Sequence, residues 1–146
     1  MEFQNTLAYT QLYSSGGIFI LGKSPSKFPF TSTFLENKNF NTEPNFIFEV
    51  TQTGAYFVDF SFIARGGIGA TINLVWYKNG VLLDQYKSVF DKQTLLDYEV
   101  SNNFIINLTQ YDTMYPALLR VGGLGAGFST IDIKLNSFNL QQLGIH

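Results

Sequence analysis

The 146-residue chain has no cysteine, only four prolines, and a single histidine, His146, at its last position. Each shortage removes a class of function. Without cysteine there is no disulfide framework, thiolate metal site or thiol nucleophile, and the redox compartment is left open. With His146 as the only imidazole, no Ser-His or Cys-His nucleophile can be assembled from internal residues. Charged residues are 14% of the chain against 16% aromatic, where ordinary soluble domains carry about 25% charge. The net charge is −2, the isoelectric point is near 5.2, and Lys and Arg are scattered singly. Such a chain offers no electrostatic footprint for nucleic acid. No apolar run reaches the about 20 residues of a membrane-spanning helix, so no membrane insertion is expected. The N-terminal MEFQNTLAYTQLYSSGG has no basic residue ahead of its apolar positions, and GGIFILG is too short and too late for a secretory signal. A protein of this kind acting outside a cell is expected to leave by lysis or on a particle; a cytoplasmic protein is the plain alternative.

What is present is β-sheet pattern. INLVWYKNGVLLDQY, from Ile72 to Tyr86, reads as two strands folded back at Asn79-Gly80, the pair that best tolerates positive φ at both central positions of a two-residue hairpin. Ile72, Leu74 and Trp76 share one face of the first arm, with Asn73, Val75 and Tyr77 on the other. Phe46, Phe48 and Val50 alternate with Ile47 and Glu49; Tyr56, Val58, Phe60 and Phe62 alternate with Phe57, Asp59 and Ser61. The same period runs through Phe104, Ile106 and Leu108, and through Ile131, Ile133 and Leu135. Pro25, Pro29, Pro44 and the Asn-rich ENKNFNTEPN predict a loop-rich N-terminal third with short or edge strands. No sustained helical stripe appears. One domain spanning 1–146 is expected, an all-β antiparallel two-sheet sandwich or jelly roll with one core. The shortage of charge predicts apolar surface covered by another subunit, or else a very wide core.

The stretch FIFEVTQTGAYFVDFSFIA, with its turn at Gly54-Ala55-Tyr56, resembles the strand-turn-strand signature of the tumour necrosis factor and complement C-one-q-like jelly rolls. INLVWYKNG, NFIINLTQYDTMYPALLRV and STIDIKLNSFNL follow in that superfamily's order, so the resemblance covers roughly residues 28–143. Two departures stand out: Tyr111-Asp112 where the family usually has Gly-Asp, and Ile131-Asp132-Ile133 where it has Phe-x-Gly. The resemblance implies a compact homotrimer, its inner sheet packed around a threefold axis. Phe3, Tyr9, Tyr13, Phe57, Tyr111, Tyr115 and Phe138 are then trimer-interface candidates, each with the intramolecular core as its alternative.

Two glycine-rich loops, Arg65-Gly66-Gly67-Ile68-Gly69-Ala70 and Val121-Gly122-Gly123-Leu124-Gly125-Ala126-Gly127, lack the spacing and the following helix of a nucleotide fingerprint. They read as crossings between sheets that need positive φ. The family topology puts both at one end of the domain, a rim in which Arg65, Gly66, Gly67, Gly122, Gly123 and Gly125 are candidates for partner contact. No catalytic residue, cofactor or metal site is expected. Asp84, Asp91, Asp97 and Glu99 read as solvated loop charges, and DKQTLLDYE lacks a calcium-loop pattern although some relatives bind calcium. Asn107-Leu108-Thr109 is a glycosylation triplet that matters only in a eukaryotic secretory route.

Three functions fit. The first, and the expectation adopted, is a trimeric jelly-roll component of a virus or phage particle, located on the virion as a fibre head, spike or decoration protein. Its partners would be itself, other virion proteins, and a host receptor or glycan, bound with avidity from three copies. The second is a secreted or surface-coat ligand similar to cytokine or complement heads. The third is a carbohydrate-binding jelly roll using Trp76 or tyrosines, although Trp76 shares its face with Ile72 and Leu74 and is expected in the core.

Overall fold

The computed structural model describes residues 7–12, 17–22, 24–28, 34–38, 40–43, 47–66, 70–91, 98–123 and 129–145. Strands occupy most of them, and no helix among them is long and apolar enough to cross a membrane. In chain order the strands are β1 (Tyr9–Leu12), β2 (Gly17–Leu21), β3 (Ser26–Lys27), β4 (Phe34–Lys38), β5 (Phe40–Glu43) and β6 (Ile47–Val50). The longer strands follow: β7 (Gly54–Gly66), β8 (Ala70–Lys78), β9 (Val81–Asp91), β10 (Tyr98–Leu108), β11 (Thr113–Gly123) and β12 (Ser129–Ile145). Sheet I runs β10-β7-β12-β1-β4 with β2 also on β12; sheet II runs β5-β6-β11-β8-β9 with β3 also on β11. All pairings are antiparallel, and the two sheets form a jelly-roll sandwich.

The alternation of β7 fixes the middle of sheet I. Tyr56, Val58, Phe60 and Phe62 are fully buried, while Phe57, Asp59 and Ser61 are half-buried on the opposite face. Across the sandwich, sheet II contributes Phe48, Ile72, Leu74, Trp76, Met114 and Leu118 to the same core. The rings interlock: Phe60 meets Phe28 edge-on at 4.9 Å and Trp76 at 5.6 Å, and Phe48 stacks on Phe138 at 5.0 Å. Such pairs add about 0.5–1.5 kcal/mol each beyond their burial. The short strands of the N-terminal third behave as expected, with β4 and β5 at sheet edges and β3 only two residues long.

Trp76 is 1% exposed, so its indole N–H needs an internal acceptor. Asn102 on β10 provides it, accepting from Trp76 Nε1 at 2.8 Å and donating to Tyr86 O at 3.2 Å and Ser88 Oγ at 2.6 Å. These groups meet because β9 arches. Leu83 pairs with Trp76 and Ser88 with Leu74, which leaves residues 84–87 out of the ladder. Tyr86 stacks on Phe104 of β10 at 4.1 Å, so this arch closes one side of the sandwich.

Three sequence expectations change. Phe138 is fully buried, stacked on Phe48, and belongs to the core rather than to a subunit interface. Ile133 faces inward, and unbroken alternation would turn Phe138 outward. A β-bulge between Leu135 and Ser137 shifts the phase, so that Phe138, Leu140 and Gln142 are the buried ones. Second, Gly80 is the one glycine with positive φ among the described residues, so Gly66, Gly122 and Gly123 are not required by backbone conformation. A Cβ at Gly122 would meet Thr71 at 3.9 Å, an ordinary contact. Third, Tyr115 lies on sheet II, not on the inner-sheet face that the resemblance implied for it.

Candidate functional site

The hairpin end is built on Asn79, at φ 52°, and Gly80, at φ 78°, the two left-handed positions of the predicted turn. Asn79 then docks on the turn before β11. Its Nδ2 donates to Asp112 Oδ1 at 2.8 Å, its Oδ1 accepts from the Thr113 amide at 2.9 Å, and its own amide donates to Thr113 O at 3.0 Å. Asp112 Oδ2 also accepts from the Thr109 amide at 2.8 Å and lies 3.6 Å from Lys78 Nζ. Burial pushes the Asp112 carboxyl up, but the hydrogen bonds from Asn79 and Thr109 and the Lys78 charge outweigh it and lower the carboxyl below its ordinary value. Tyr111 has φ 76° and is 66% exposed. It occupies a left-handed position where the resembling family usually carries glycine, and its strain is held by Tyr111 N donating to Val50 O at 2.8 Å and Val50 N donating to Asp112 O at 3.0 Å.

The opposite end carries the glycine-rich segments. Gly66 closes β7 opposite Ile131 of β12, and Gly122 and Gly123 close β11 opposite Thr71 and Ala70 of β8. Both connections therefore leave from one end and cross between the sheets, as the topology argument expected. Gly67 and Gly125 lie outside the described residues. Arg65 is exposed and pairs across the ladder with Asp132. A cavity of about 260 Å³ is lined there by Leu119, Arg120, Val121 and Gly122. Arg120 is 5% exposed on an inward position, a buried charge that the apolar pattern of β11 gave no reason to expect.

The outer face of sheet I is a set of cross-strand rows. One joins Ile105, Phe57 and Gln141 to the backbone positions of Tyr9 and Lys38; the next joins Asn103, Asp59 and Asn139 to those of Gln11 and Glu36. Phe57 and Tyr9 thus share one row, and Ile105, which the sequence reading did not single out, stands beside them at 59% exposure. Leu143, at the second bulge of β12, is also exposed. Asn103 donates to Asp59 Oδ1 at 2.7 Å once its amide is oriented to its partners, and Asn139 Nδ2 reaches Asp59 Oδ2 at 3.4 Å. Phe3 and Tyr13 lie outside the described residues.

Sheet II presents a different outer face. Tyr115 stacks on Tyr77 at 5.1 Å, Lys27 Nζ sits 5.2 Å from the Tyr115 ring centre, and Leu82 is paired with Tyr77 on the far side. Burial, then the neighbouring Tyr77, pushes the Tyr115 hydroxyl up. In the neighbouring outward row Val75 and Ala117 are 2% and 1% exposed although they face away from the core. With Trp76 inside, a tryptophan platform for sugar is not available on this face. Asp84 and Glu99 are exposed, and no group of three or more His, Cys, Asp or Glu able to hold a metal occurs among the described residues.

No family model matches the chain, and no curated protein matches it. Solved structures do. An Eiger TNF from S. frugiperda superimposes with a TM-score of 0.66 at 12% identity, covering 97% of this chain and 96% of that one. Murine APRIL, in crystals at pH 5.0 and at pH 8.5, gives a TM-score of 0.58 at 12% identity, covering 89% of this chain and 100% of that one. The chain therefore has the TNF-like jelly-roll fold over nearly its whole length.

Proposed function

We propose that this chain is a non-enzymatic binding module that works outside the cell as a homotrimer, a secreted or surface ligand similar to cytokine and complement heads. The observation that carries the reading is the superposition on a TNF structure over 97% of this chain and 96% of that one. The outer face of sheet I supports assembly. It holds Phe57 and the exposed Ile105 and Leu143, apolar groups that a second copy would cover. Three copies repeat each weak contact, so the hairpin end with Tyr111 and the glycine-rich rim with Arg65 are each offered to a protein partner in triplicate.

The particle-component expectation, with its virion partners and glycan receptor, draws no support from the structures named above, which are of TNF and APRIL. The secreted alternative takes precedence. Sedimentation equilibrium tests the assembly: a mass three times that of the 16.4 kDa chain is expected at micromolar concentration, and a monomer at every concentration overturns the reading. Inspection of the neighbouring genes separates a virion origin from a cellular one.

A further inference from the structure

Among the described residues, Asp59 is the isolated charge at the middle of sheet I's outer face. On β7 the next charged residue on that face is Arg65, and on β10 and β12 the nearest are Glu99 and Lys134, which pair with Ile63. Four residues of strand put that row about 13 Å away. Asp132 is farther along β12, β1 contributes no charge, and Glu36 and Lys38 of β4 lie three strands across, about 14 Å away. These separations exceed the Debye length of about 8 Å at physiological salt. The carboxylate's partners are two neutral amides, Asn103 and Asn139. They hold its orientation, and no cation among the described residues offsets its charge.

The row beside it, Ile105-Phe57-Gln141, is the apolar one. Covering that row with a second copy also takes Asp59, in the adjacent row, out of water. We infer that the Asn103-Asp59-Asn139 layer limits the tightness of self-association, so that copies of this chain bind one another more strongly once the Asp59 charge is removed. The inference rests on the proposed assembly through sheet I. The partner is a further copy of this chain, and the effect is one of charge, with no ion required.

The test is sedimentation of the full chain at neutral pH beside Asp59→Asn, which removes the charge and keeps the shape of the side chain. Asp59→Asn is expected to associate about ten- to a hundredfold more tightly than the wild type. If Asp59→Asn does not fold, Asp59→Thr, a good strand former, replaces it with the same expectation. Trimers of equal affinity in wild type and variant, or weaker association in the variant, overturn the role of Asp59 and leave the assembly standing. Monomers throughout, in both proteins, overturn the assembly and the inference with it.

Discussion

The two outer faces of the sandwich solve the same problem differently. Sheet II pairs its outward tyrosines and one carboxylate within the chain: Tyr115 stacks on Tyr77 with Lys27 at the ring, and Asp112 at its end faces Lys78, the Asn79 side-chain amide and the Thr109 amide, while Leu82 and Val89 stay exposed on β9. Sheet I differs. Ile105 is 59% exposed beside Phe57, and Asp59 has amides but, among the described residues, no cation. Both faces keep apolar side chains in water, which a partner would cover, but only on sheet I do they stand beside a carboxylate held by amides alone. The contrast teaches that low charge in a sequence is not itself an interface; where the uncovered apolar groups gather is decided face by face.

The most forceful way to break this contrast is a charge on each face. Ile105→Asp is expected to weaken self-association by about a hundredfold or more while leaving the thermal midpoint nearly unchanged, because the side chain is exposed in one copy. Val89→Asp, on the exposed outer side of sheet II at β9, is expected to leave association unaltered. Equal losses from both, read by sedimentation, would erase the distinction between the faces. Phe138→Ala sharpens it from the inside: a cost of about 3–5 kcal/mol in urea unfolding is expected, with association of the folded fraction retained, because the ring is in the core.

Smaller effects probe the internal bonds. Asn102→Ala strands the buried Trp76 indole N–H and is expected to cost about 1–3 kcal/mol by the same urea assay. Asp112 provides the acid-dependent case. Its folded carboxyl is held below the ordinary value, so the stability it contributes is fully present above that ordinary value and is lost as pH falls through the lowered one. Asp112→Asn should therefore be less stable than wild type at neutral pH and should lose that part of the acid dependence, as followed by thermal unfolding at stepped pH. Tyr56 acts at the other extreme. Burial raises its hydroxyl to about 12 while it donates to Gln52 O at 2.6 Å, so its contribution is complete below the unfolded value of about 10 and disappears as pH rises through the folded one. Tyr56→Phe is expected to flatten the alkaline limb.

The legible parts of the fold were those where local sterics and period agree. Asn79-Gly80 forms its turn because few other pairs accept two left-handed positions, and β7 buries Tyr56, Val58, Phe60 and Phe62 because every second residue is apolar and large. The shared end of the two glycine-rich connections followed from strand order. Less legible were the features created by register. The β12 bulge at residue 136 turns Phe138 inward, and the β9 arch carries Tyr86 to Phe104; neither leaves a mark in alternation alone. Of the candidate site residues, Phe57 and Tyr9 fall in one row of sheet I, whereas Tyr111 and Tyr115 are dispersed to the hairpin end and to sheet II. Asp59 carried a readable signal: it is the charge on the outward side of an otherwise neutral central strand segment.

By itself the sequence determined that the chain makes paired strands with one apolar side, because the two-residue period and the turn residues act within a few positions of each other. Which outward residues become neighbours was decided only by the tertiary structure. Rows such as Ile105-Phe57-Gln141 and Asn103-Asp59-Asn139 join residues dozens of positions apart, and their membership depends on ladder register, where one bulge exchanges the inside of a strand for its outside.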